Sequence, residues 1–263
     1  MGILKNVALE RLRAGQAALG FGVSQLRSTA AAHIARAAGY HWLTIDLEHG
    51  VTSLADAAQI CMAASTIGVA PIARIGPGAI ADGTRLLDNG AQGVLVPDVR
   101  SAAQARELVR ALRYPPRGQR PWGANTFPFG YRAPAVPEAM RQIEDEMLLA
   151  VMIESADGVE AAQDIAAVEG VDVLFVGASD LSNALGAHGR VQDPAVTQAI
   201  ERCALACASA GKVLGVGGVQ EPEALRSVVR LGARFIAGGS DSAFLLAAAT
   251  QRARFLDEVL AAG

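Results

Sequence analysis

Residues 151 to 155 read VMIES, in which a carboxylate, Glu154, closes a run apolar enough to be a buried strand. An ionised carboxylate buried alone is costly or has its pKa driven upward, so the chain must supply a cation or a pocket open to water. A second carboxylate, Asp180 in GASDL, ends the next apolar run. Two oxygen ligands a few ångströms apart, with the other positions left open, describe a Mg2+ or Mn2+ site completed by substrate oxygens and water. No HExxH or CxxC spacing points instead to zinc. A salt bridge from Arg74, which closes APIAR, is the alternative way to compensate Glu154.

Three further polar residues cluster in DLEHG: Asp46, Glu48 and His49. A histidine at a strand end titrates near neutral pH and can move a proton directly or through water, and Asp46 is near enough to orient it. Arg74 keeps its charge at any working pH and can hold a carboxylate or stabilise a developing enolate. Backbone N–H groups around GASDL (177–181) can cradle the carboxylate of a small acid. His33, His41 and His188 have no such company and read as structural. The chain has two lysines, Lys5 and Lys212. Lys212 opens its strand and points away from such a pocket, which argues against an imine-forming lysine. Carbon–carbon bond chemistry would then need a metal as electron sink.

These residues need a scaffold that gathers strand ends. Apolar runs at 18–23, 42–48, 70–75, 93–97, 148–154, 171–177, 212–218 and 234–239 alternate with alanine-rich helical segments, several closed by glycine. Eight such units predict one (β/α)8 TIM barrel domain over 1–263, with the polar residues on its carboxyl-end rim. An open doubly wound sheet would often carry GxGxxG in its first turn, and none follows ALGFGV. Residues 114–140, rich in Pro, Gly and aromatics, break the rhythm and read as a lid or interface loop in which Trp122, Phe127, Phe129 and Tyr131 seek burial.

Composition narrows the partners. With 51% hydrophobic residues, 5% aromatics and a net charge of -3, the chain offers neither a basic field for nucleic acid nor many stacking rings. The amino terminus reads as an amphipathic helix, no segment reads as a membrane span, and Cys61, Cys203 and Cys207 suit a reducing cytoplasm.

In order along the chain, IDLEHG, PIAR, LLDNGAQGVLVPDV, RYPPRGQR, IES, EGVDVLFVGASDLS and LGARFIAGGSD resemble the HpcH/HpaI family of metal-dependent pyruvate aldolases, from about residue 15 to residue 250. The resemblance implies a barrel, typically hexameric, whose last helix is exchanged between paired subunits. It implies reversible cleavage of 4-hydroxy-2-oxo acids to pyruvate and an aldehyde with a divalent cation (Mg2+, Mn2+ or Co2+). Glu154 and Asp180 match the metal ligands, His49 the acid/base, Arg74 the residue that binds the ketoacid and steadies its enolate, and Asp46 the histidine's acidic neighbour. Asp88 matches an aspartate that approaches the histidine from another subunit, and Gly177, Ala178 and Ser179 match the loop facing the substrate carboxylate. Met152 departs from the glutamine that many members carry, which leaves donor preference open. Three rivals stand beside this reading: oxaloacetate decarboxylation in the same site, a phosphosugar isomerase or synthase using GVGGV (215–219) and AGGSD (237–241), and a catalytically silent metal-binding barrel.

Overall fold

The structure, a computed structural model, describes residues 2–124 and 126–262. Eight strands, β1 (Ala18–Val23), β2 (Trp42–Asp46), β3 (Ala70–Arg74), β4 (Gly93–Val96), β5 (Leu148–Ile153), β6 (Val173–Gly177), β7 (Val213–Gly217) and β8 (Ala233–Ser240), form a closed barrel in sequence order. Each pairs in parallel with the next, and β8 pairs with β1. The helices among the described residues are α1 (Val7–Arg13), α2 (Ala30–Ala37), α3 (Leu54–Thr66), α4 (Ile80–Asp88), α5 (Ala102–Leu112), α6 (Val136–Glu146), α7 (Ala156–Glu160), α8 (Ala162–Ala166), α9 (Ala178–Ala184), α10 (Pro194–Ala210), α11 (Pro222–Arg230) and α12 (Asp241–Ala261). This is the (β/α)8 TIM-barrel architecture.

The strands are mostly apolar because both of their faces are largely covered, β4, β5 and β6 being buried along their whole length. Along β5, Leu148, Ala150 and Met152 belong to the barrel interior, whereas Leu149, Val151 and Ile153 pack under the surrounding helices. Strand alternation therefore turns the next residue, Glu154, toward the interior. The same alternation places Trp42 inside on β2 and turns Thr44 and Asp46 inward above it, with Arg74 inward on β3. Trp42 stacks on Phe235 with centroids 3.9 Å apart. Gly20 makes room for that indole, since a Cβ there would sit 2.2 Å from it.

The predicted amino-terminal helix is α1, and it closes the barrel's amino end. Ala8, Leu9 and Leu12 join the interior cluster. Asn6 caps the helix by accepting the Leu9 N–H, and its amide donates to the carbonyls of Gln92 and Glu146. With that end plugged, the cavity of the barrel opens at the carboxyl ends of the strands. The irregular segment expected over 114–140 gives way to α6 at Val136. Phe127 and Phe129 are buried in a 3-10 turn and Trp122 packs on Tyr114, but Tyr131 is 65% exposed. Its edge contact with Phe127 covers only part of the ring.

Candidate active site

A cavity of about 300 Å3 opens at the carboxyl ends of the strands, lined on one side by Thr44, Asp46, Arg74, Met152, Gly177, Ser179 and Asp180. Asp46 is the last residue of β2 and Arg74 the last of β3, and the two are register partners across the ladder. The Arg74 Nε donates to Asp46 Oδ1 at 3.0 Å and its Nη2 to Oδ2 at 2.6 Å, a bidentate pair. Asp46 Oδ1 also accepts the backbone N–H groups of Glu48 and His49, both at 3.1 Å. Burial pushes the Asp46 carboxyl up, but Arg74 and those N–H groups outweigh it and hold it below the usual carboxylate range. Asp46 thus shapes the turn that carries His49 through the backbone, while its own carboxylate is committed to Arg74.

The His49 imidazole is 67% exposed, with Nε2 3.7 Å from Glu48 Oε2. Glu48 also reaches Arg74 Nη1 at 3.5 Å. One chain of charge therefore runs from the exposed imidazole through Glu48 and Arg74 to Asp46. Of the predicted site residues, His49, Asp88, Glu154 and Ala178 are not among the residues lining the cavity. Asp88, at the end of α4, pairs at 2.5 Å with Arg120, a side chain buried to 1% exposure and laid over the Tyr114 ring at 4.5 Å.

Glu154 is the first residue beyond β5. Its Oε1 accepts the backbone N–H of Asp98 at 2.8 Å, and the left-handed backbone of Asp98, at φ +49, aims that N–H. A Cβ on Gly177 would lie 2.7 Å from Glu154 Oε2, so the bare glycine is what lets the carboxylate stand beside the α9 turn. Arg74 is engaged by Asp46 and Glu48, and no ion pair to Glu154 occurs among the described residues. Burial, opposed by the Asp98 N–H and reinforced by the negative charges of Asp180, Glu48 and Asp98, pushes Glu154 up to about 7.

Asp180 stands in the first turn of α9, whose leading N–H groups lack helical partners. Gly177 and Ser179 line the cavity, whereas Ala178 between them is fully buried. Among the described residues no group of three or more His, Cys, Asp or Glu side chains is arranged as a metal cage. The fit of a cation rests instead on a two-carboxylate donor set in which Glu154 carries an uncompensated charge. Hard oxygen ligands of this kind suit a divalent ion that completes its shell with substrate and water.

Sequence reasoning missed the Asp98 N–H, the Asp88–Arg120 pair and Thr44. Thr44 was accessible to it, two residues before Asp46 on an alternating strand. The other two are contacts across long sequence separations with no local signature.

Fold and site together define a (β/α)8 barrel with an acidic pair facing a partly buried arginine at its carboxyl end. The chain belongs to the HpcH/HpaI aldolase/citrate lyase family, whose model matches residues 24–248. It is 40% identical over 219 residues to a hydroxypyruvate/pyruvate aldolase of Delftia acidovorans, covering 83% of this chain and 81% of that protein. It is 35% identical over 251 residues to a 4-hydroxy-4-methyl-2-oxoglutarate aldolase of Chaetomium globosum, covering 93% and 92%. An HpcH/HpaI aldolase crystal structure from Desulfitobacterium hafniense superposes with a TM-score of 0.89 at 29% identity, covering 95% of this chain and 96% of that one.

Proposed function

We propose that this protein is a divalent-metal-dependent aldolase that cleaves 4-hydroxy-2-oxo acids to pyruvate, or a related 2-oxo acid, and an aldehyde, and that also runs the reverse addition. The observation that carries the reading is the half-buried Glu154, which has no ion-pair partner among the described residues and feels the charge of Asp180, at a cavity lined by Asp180 and Arg74, in a chain of an aldolase family. Glu154 and Asp180 would hold the cation, which when bound supplies Lewis acidity at the 2-oxo group.

The chain's own residues do the rest. Backbone N–H groups of Gly177, Ala178 and Ser179 receive the substrate carboxylate, and Gly177 keeps that approach open. His49 takes the proton of the 4-hydroxyl as the C3–C4 bond breaks, and the bonding electrons pass to the 2-oxo oxygen as an enolate. Arg74, held in place by Asp46, faces that oxygen with a permanent positive charge. Protonation at C3 then gives pyruvate, and the aldehyde leaves. In the addition direction His49 returns its proton to the aldehyde oxygen. Its exposed position fits a group that meets the outer, variable half of the substrate, and Asp88 of a neighbouring copy is the carboxylate proposed to approach it.

The phosphosugar alternative loses support at AGGSD. That run delivers a buried carboxylate, Asp241, immediately after β8, and a negative charge there disfavours a phosphate. We further propose a cytoplasmic homo-oligomer, a hexamer in which α12 is exchanged between paired subunits. The exposed apolar side chains along α12 support the exchange.

The deciding experiment measures pyruvate release from 4-hydroxy-2-oxo acids and oxaloacetate by metal-stripped protein, before and after Mg2+, Mn2+ or Co2+ is added. Metal-dependent cleavage of a hydroxy-oxo acid is expected. Activity on oxaloacetate alone would replace the aldolase by a decarboxylase, and silence across the panel would overturn both.

A further inference from the structure

The cavity has a second wall, opposite Met152 and Asp180, built by the ends of β1 and β8. Gly22, Ser24, Gly238 and Ser240 line it. Behind it lies Asp241, only 6% exposed and absent from the mechanism above. Its carboxylate collects five hydrogen bonds. Oδ2 accepts the backbone N–H groups of Ser24 at 3.2 Å, Gln25 at 2.9 Å and Leu26 at 2.7 Å. Oδ1 accepts the Ser24 hydroxyl at 2.9 Å and the Ser242 N–H at 2.7 Å.

Helix capping does not explain this arrangement. The cap of α12 is Ser240, whose hydroxyl accepts the Ala243 N–H. Four of the five donors to Asp241 lie in the loop after β1, more than two hundred residues earlier in the chain. Three successive backbone N–H groups turned toward one point form an anion nest, and here a side chain of the protein fills it.

The loop so held continues toward the acid/base. The Ser24 carbonyl accepts the N–H of Val51 at 3.0 Å, two residues beyond His49. Gly50 permits the close approach, because a Cβ there would sit 3.1 Å from the Ser24 carbonyl oxygen and 2.2 Å from that of Asp46. A continuous line of hydrogen bonds therefore runs from Asp241 through residues 24–26 to the His49 turn. None of these bonds touches Glu154, Asp180 or the Gly177–Ser179 turn, where the 2-oxo acid is proposed to bind.

We infer that Asp241 is a positioning residue for the aldehyde half of the site, fixing the β1 loop and through it the wall and the His49 turn that meet the acceptor. The inference rests on the aldolase reading. It separates the site into a donor half carried by β5 and β6 and an acceptor half latched by Asp241, and it predicts that the two halves can be damaged independently.

The test is the initial rate of metal-loaded aldol addition with pyruvate and glycolaldehyde varied independently, for wild type and Asp241→Asn. An asparagine keeps the size of the side chain but presents an amide in place of a charge to three N–H donors. Expected are a KM for glycolaldehyde raised about tenfold, a KM for pyruvate changed less than about twofold, and faster amide hydrogen exchange at Gln25 and Leu26; tenfold corresponds to about 1.4 kcal/mol. Unchanged glycolaldehyde KM, or equal loss on both substrates, would overturn the inference while leaving the aldolase intact. A wild type that forms no adduct would overturn the aldolase reading, and this one with it. Should Asp241→Asn fail to fold, Asp241→Ser is measured in the same way; if neither folds, Asp241 is a scaffold residue and the inference fails.

Discussion

At the scale of single residues the site separates charge that is already balanced from charge that is not. Asp46 and Arg74 satisfy each other, so their energy goes into fixed geometry, while Glu154 is left with burial and three negative neighbours. That contrast gives different expected failures for two substitutions. Glu154→Gln removes the uncompensated charge and should abolish metal-dependent turnover together with cation binding. His49→Ala touches neither proposed ligand and should leave binding intact while lowering turnover by about 10² to 10⁴, the usual contribution of a positioned acid/base. Calorimetric titration with Mn2+ alongside steady-state assays separates the two. Full turnover in His49→Ala would remove the histidine from the mechanism, and normal Mn2+ affinity in Glu154→Gln would remove the glutamate from the metal site.

At the scale of elements, long-range joints decide how the loops stand, and these are also what the amino-acid order conceals. All eight strands were legible because a strand buried on both faces is a continuous apolar run. Their ends were less so: β2 stops at Asp46 and β5 at Ile153, while Glu48 and Glu154 extend the polar and apolar pattern without pairing in the ladder. Glu154, Asp180 and Arg74 could be read as a rim group because barrel topology alone brings strand ends together. Asp241 could not, because its partners are backbone N–H groups of a distant loop, which leave no mark on residue type. The same joint sets a pH dependence. Burial raises the Asp241 carboxyl, but the N–H groups of Leu26 and Gln25, the Ser24 hydroxyl and the Ser242 N–H outweigh it and hold it below the usual range. Below about pH 4 the unfolded chain therefore binds this proton more readily than the folded one. The stabilisation is complete above the unfolded pKa and is lost as pH falls through the folded one. Thermal melts from pH 6 to pH 2 should show a shallower acid decline for Asp241→Asn than for wild type. Parallel declines would show that the carboxylate contributes no proton-linked stability.

At the scale of the whole molecule, α12 is the element that one copy of the chain does not account for. Its root is docked: Asp241 is buried, and Phe244 packs against Phe21 and Tyr40 with centroids 5.4 and 6.0 Å apart. Asp241 is the one buried position among the 21 residues of α12. Leu245, Leu246, Phe255, Leu256, Val259 and Leu260 are all exposed, Leu260 to 78%. A surface helix normally turns its apolar stripe to its own core. Here Leu245, Leu256 and Leu260 share a face at helical spacing and remain in water, so the proposed exchange with a second copy would give them cover. Replacing Leu256 and Leu260 with glutamate puts two charges into that face without touching the barrel core. Light scattering should then give a wild-type mass near six copies of the 27.1 kDa chain and a smaller species for the double variant. Because Asp88 is proposed to act on the histidine of a neighbouring copy, the smaller species should also turn over more slowly while keeping its cation. A wild type that runs as a single chain, or a variant of unchanged mass, would show that α12 is not the assembling element.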